Sequence, residues 1–153
     1  MKDKETLNEE GKALLGVGKY KEALEKFKEA LRSDNSFVKA YHNRGTALSL
    51  LGRFDEAFSD FSQAIKLLPN VHNPYLGRAI VLMKMGRLKE ALSEFNQAIK
   101  LCPEDSKIRY SRAILLMKMG GFRPVSERRR GLGKRDGSLV PAVYQNKFLV
   151  DDM

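Results

Sequence analysis

A single cysteine, Cys102, in 153 residues excludes an internal disulfide framework and any site that needs several thiolates from one chain. Set beside Pro103 at an expected helix end, it reads as a small hydrophobe in a packed turn. Histidine is nearly as scarce. His42 and His72 lie 30 residues apart, and neither has the close neighbour that metal ligation or general-base chemistry requires. No apolar run approaches the roughly 18 residues needed to span a bilayer. The N-terminus, Met1-Lys2-Asp3-Lys4-Glu5, opens an amphipathic stretch rather than the apolar block of a secretory leader. A cytoplasmic address is the expectation, with the nucleus second. The sequence also lacks a glycine-rich phosphate loop, a nucleophile motif and a carboxylate pair that a helical pattern would place in a cleft, so neither catalysis nor a cofactor is expected.

What is present is a globular composition, 42% hydrophobic and 31% charged, which is too apolar for a disordered chain and fits one domain. The net charge of +9 is spread along the chain: residues 1–120 carry +6 and residues 121–153 carry +3. Such an excess suits an acidic partner, a nucleic acid or a membrane surface.

The strongest signal is internal repetition. Gly18, Gly52, Gly86 and Gly120 are spaced by 34 residues, as are Ala23, Ala57 and Ala91, Phe27, Phe61 and Phe95, and Ala30, Ala64 and Ala98. Each glycine follows an apolar stretch and precedes a charged residue and then Tyr20, Phe54 or Leu88, which is where a left-handed residue ends a helix. The segment after it carries Ala23, Leu24, Phe27, Ala30 and Leu31 at the spacing of one amphipathic stripe. The small residues Gly11, Gly45, Ala79 and Ala113 admit a close neighbour on the first helix of each pair, with the phenylalanines filling the space between pairs. Pro69 and Pro103 close two units. This pattern predicts helices near 5–17, 21–33, 38–51, 55–67, 73–85, 89–101 and 106–119.

A 34-residue helix-turn-helix with the segments Tyr41-His42-Asn43-Arg44-Gly45 and Leu51-Gly52-Arg53-Phe54-Asp55-Glu56-Ala57 resembles the tetratricopeptide repeat (TPR) family. The resemblance covers residues 4 to about 122 and implies an all-α fold, a right-handed superhelix of stacked helix pairs. Its repeats are 4–37, 38–71 and 72–105, with a partial fourth over 106–122 and an irregular basic tail over 123–153. It further implies a scaffold or adaptor that binds a peptide or amphipathic helix of another protein in a groove lined by the first helices. Transferred position by position, the groove is polar in the first two repeats and apolar with a lysine edge beyond them. Its expected contacts are Lys12, Asn43, Ile80, Met83, Lys84, Tyr110, Ile114, Met117 and Lys118.

One subgroup of the family grips the C-terminal carboxylates of chaperones with Lys and Asn on the first helix, Asn on the third, and Lys and Arg on the fifth. The matching positions here hold Asn8 and Lys12, then Asn43, then Asn73 and Gly77, so that only Asn43 agrees in type and place. The carboxylate clamp therefore stands as an alternative, not the leading expectation. Arg44, Arg78 and Arg112 form another 34-spaced column, expected to pair with carboxylates such as Asp60 or Glu94 rather than with a ligand.

The fourth unit departs from the pattern after Gly121-Phe122: Arg129 takes the phenylalanine position, and Pro124, Gly131 and Gly133 interrupt any second helix. The seventh helix is then apolar nearly all round and needs a cover. The candidates are Leu139 to Tyr144 and Phe148 to Val150 of the tail, a second copy of the chain, or a partner. So abrupt a change also suggests a shortened form of a longer array. Arg128-Arg129-Arg130 with Lys134 and Arg135 supplies the remaining alternative, a nucleic-acid-associated adaptor acting through residues 123–135, although no aromatic is interleaved for base stacking.

Overall fold

The structure is a computed structural model that describes residues 1–120. Those residues form seven α-helices: α1 (Lys4–Gly16), α2 (Tyr20–Ser33), α3 (Val38–Leu50), α4 (Phe54–Leu67), α5 (His72–Lys84), α6 (Leu88–Leu101) and α7 (Ser106–Lys118). Each predicted helix is present, with bounds that differ by a residue or so. The basic tail, with Arg128 to Arg130 and the apolar segments expected to cover the last helix, lies outside the described residues. The chain divides into two compact units, residues 1–112 and 113–153. In the second, the described part is the end of α7, where Leu115 and Leu116 are buried and Met117 is exposed.

The turn within each pair follows from the glycine column. Gly52 has φ +77°, a conformation costly for a residue with a Cβ, and the same holds at Gly18, Gly86 and Gly120. It lets the Arg53 N–H reach back to Leu48 O at 2.9 Å and the Gly52 N–H to Ser49 O at 3.1 Å, the paired bonds that close a helix C-terminus. The second helices start one residue earlier than predicted, at Tyr20, Phe54 and Leu88. Their N-cap residues Lys19, Arg53 and Arg87 make no side-chain cap, and acidic residues in the first turn (Glu22, Asp55, Glu56, Glu90) answer the helix dipole instead. At α1 the cap is a side chain: Asp3 accepts the Thr6 N–H at 2.7 Å.

Packing joins α1 to α2, α3 to α4 and α5 to α6, then α2 to α3 and α4 to α5, and finally α1 to α3 and α3 to α5. Phe27, Phe61 and Phe95 are fully buried at the centre of the three pairs. Phe27 lies so close to the α1 backbone that a methyl group on Gly11 would sit 2.4 Å from its Cε1. Phe61 makes the same approach to Gly45, at 3.0 Å, and to Gly77 of the next repeat, at 2.5 Å. One ring thus joins two repeats.

The arginine column is structural, as expected. Arg44 holds Asp60 through Nε and Nη2 at 2.7 and 2.8 Å, and Arg78 holds Glu94 the same way at 2.9 and 2.8 Å. Arg78 also donates to Ser62 Oγ of the preceding pair, and Arg112 to Asn96 Oδ1. Asp60 is buried, so losing it leaves a half-buried guanidinium without its counter-charge. We expect Asp60→Ala to destabilise the chain by about 3 kcal/mol in urea unfolding, the scale of a broken buried pair. A loss near zero would show that the pair contributes nothing to the fold.

Candidate partner-binding groove

The neighbouring first helices α1, α3 and α5 present one surface, and on it lies a cavity of about 620 Å³. From α1 come Lys4, Asn8, Glu9 and Lys12; from α3, Val38, Lys39, His42 and Asn43; from α5, Asn73 and Pro74. Helical periodicity brings Asn8 and Lys12 to one face of α1 and Lys39, His42 and Asn43 to one face of α3. The connections between repeats add Asp34, Ser36, Phe37, Leu68 and Val71. Of the residues expected from the sequence, Lys12 and Asn43 line this cavity.

The polar groups at its centre are partly committed. Asn43 donates its Nδ2 to Asn8 Oδ1 at 2.9 Å, across from α3 to α1, and Asn8 is buried. Lys12 Nζ lies 3.2 Å from both carboxylate oxygens of Glu9. Lys4 is hydrogen-bonded to Asp34, and with Ser36 it holds that carboxyl down at about 2. No described carboxylate pairs with Lys39. His42 has a buried Nδ1 without a partner and packs its ring on Phe61 at 5.6 Å between centroids. Burial, and then the nearby His72, push the His42 imidazole below its ordinary range. His72 itself lies 3.5 Å from Asp105 Oδ2.

The remaining expected contacts are elsewhere. Ile80 and Met83 are half-buried on α5, and Lys84 is exposed at its end. On α7, Tyr110, Met117 and Lys118 are exposed and Ile114 is half-buried. Sequence reasoning missed the apolar wall made by Phe37, Val38, Leu68 and Val71. Phe37 and Val71 occupy the last position of their repeats, outside the positions that define the groove, and their apolar character was the available signal. It also missed the reason for Gly77, which is the approach of Phe61 and not merely the lack of a charged side chain.

The family profile described as tetratricopeptide repeat matches residues 38–71, and that described as TPR repeat matches residues 11–52 and 81–120. The chain belongs to the tetratricopeptide repeat family. Comparison with curated proteins gives no match. Among solved structures, the first TPR of Spaghetti (RPAP3), bound to the HSP90 peptide SRMEEVD, superposes with a TM-score of 0.73 at 22% identity, covering 77% of this chain and 94% of that one. The Arabidopsis OM64 TPR domain gives 0.70 at 25% identity, covering 73% and 93%. The first TPR domain of human RPAP3 gives 0.74 at 22%, covering 77% and 93%. These likenesses are to the TPR fold. No described helix of this TPR chain is long and apolar enough to cross a membrane.

Two outcomes follow from the cavity's construction. A folded pKa below the unfolded value near 6.5 favours neutral His42, so its contribution is present above pH 6.5 and lost as pH falls below it. The thermal midpoint should drop between pH 7 and pH 5.5 in wild type and stay flatter in His42→Gln; equal slopes would contradict this origin. Gly77→Arg should cost about 2 kcal/mol in unfolding free energy, because its Cβ must displace the Phe61 ring. An unchanged midpoint would show that Phe61 yields without strain.

Proposed function

We propose that the chain is a non-catalytic adaptor whose α1/α3/α5 surface holds a peptide or helix of another protein. The observation that carries this reading is the cavity on the first helices, lined by Lys12 and Asn43 at positions that the family resemblance assigns to the groove. Its mixed apolar and polar lining, drawn from three successive first helices, suits a peptide segment. Outside the cavity, half-buried Ile80 and Met83 and exposed Lys84 on α5 are proposed as further contacts, and Tyr110, Ile114, Met117 and Lys118 on α7 as candidates on that helix.

The first TPR of the structural relative Spaghetti is bound to the HSP90 peptide SRMEEVD. For this chain a carboxylate clamp is the weaker reading. Two terminal carboxylates need several converging cations. Here Asn8 is bonded to Asn43, Lys12 to Glu9, and Gly77 backs onto Phe61. A clamp would have to draw Lys4 from Asp34 and Lys12 from Glu9, and α5 offers no cation at Gly77.

Affinity capture from cell extract tests the groove. Wild type, Lys12→Glu with Lys39→Glu, and Met83→Glu with Met117→Glu should be compared at equal, verified fold. All four positions have exposed or half-exposed side chains, so folding is expected to survive. Partners held in the groove should fall by about tenfold or more in at least one double variant. The same partners at the same yield from all three proteins would mean that binding uses another surface.

A further inference from the structure

The cavity of α1, α3 and α5 is amphipathic in a way that limits what it can hold. Leu68 is 45% exposed and shares the cavity with Phe37, Val38 and Val71, an apolar wall open to solvent. An apolar side chain placed there would remove both surfaces from water. Among the cavity's cations, Lys4 is matched by Asp34 and Lys12 by Glu9, whereas Lys39 has no described carboxylate partner. An incoming negative charge is therefore answered at Lys39 without displacing an existing pair. A volume of 620 Å³ corresponds to a space about 11 Å across, which an extended chain crosses in about three residues.

We propose that this cavity recognises an internal segment of a partner chain in which an apolar side chain and an acidic side chain stand within three residues of each other. The apolar group lies on the wall of Phe37, Leu68 and Val71, and the acid is held by Lys39. The Asn43 amide and the His42 ring, which line the same cavity, are left for the segment's backbone. A chain terminus is disfavoured, because its α-carboxylate would bring a second negative charge to a site with one unmatched cation. This inference rests on the groove being the binding surface, and it adds the chemistry of the segment.

The test is an array of random twelve-residue peptides, all acetylated at the N-terminus and amidated at the C-terminus, probed with the full chain. Enriched peptides should share Asp or Glu within three residues of Leu, Ile, Val or Phe. The leading peptide, measured by fluorescence anisotropy, should bind about tenfold more weakly to Leu68→Asp and to Lys39→Glu, both exposed positions. Releasing its C-terminal amide to the free acid should not tighten binding. An array without enrichment, an enriched set without an acid, binding indifferent to both substitutions, or a requirement for a free carboxylate would each overturn the proposal. So would saturable occupation of the cavity by a synthetic peptide of residues 139–150, or by a second copy of the chain, that Leu68→Asp abolishes. If extract partners depend on the groove while the array fails, the adaptor reading stands and only this segment chemistry falls.

Discussion

The contact between Phe61 and two side-chain-free backbones sets the geometry on which everything else rests. Its ring reaches Gly77 of the next pair closer than a Cβ would permit, and Gly45 of its own pair at the tight limit of 3.0 Å. A glycine inside a helix costs about 1 kcal/mol relative to alanine. Complete burial of a phenylalanine contributes about 2 to 3 kcal/mol against about 2 kcal/mol for the two glycines together, so the exchange is balanced or slightly favourable. The distance between α3 and α5 is thereby fixed, and with it the width of the surface they share. The bidentate Arg44–Asp60 pair ties α3 to α4, and the Arg78–Glu94 pair ties α5 to α6.

The groove inherits its chemistry from that geometry. Because α5 must carry glycine where it meets Phe61, that position cannot present a cation. The neighbouring amides Asn8 and Asn43 bond to each other across the helices, and the lysines of α1 are matched by local acids. What remains open to a partner is an apolar wall from the inter-repeat connections and one unmatched lysine on α3. A surface of this kind discriminates by fit and by a single charge, and not by a cluster of cations.

Most of the fold was legible in the residues, because every helix of a repeat array is specified several times over. Four columns at a 34-residue spacing place the turns, and Gly18, Gly52, Gly86 and Gly120 all take the left-handed conformation that their position demands. The Arg44 and Arg78 partners could be named because 16 residues separate facing positions within a pair. The site was legible only in part. Lys12 and Asn43 followed from groove positions, but Leu68 and Val71 belong to connections, whose residues the repeat pattern does not assign to any face. The proximity of His42 to His72, 30 residues away, depends on the stacking of α3 and α5 and has no signature in local spacing.

Partners are proposed to engage the α1/α3/α5 surface rather than helices α2, α4 and α6. Amide and methyl NMR shifts of the full chain, titrated with a captured partner fragment, test it most directly. Saturable changes centred on Lys12, Lys39, Asn43, Leu68 and Val71 are expected, with α2, α4 and α6 little affected. Changes confined to α2, α4 and α6, with those five residues unmoved, would contradict it.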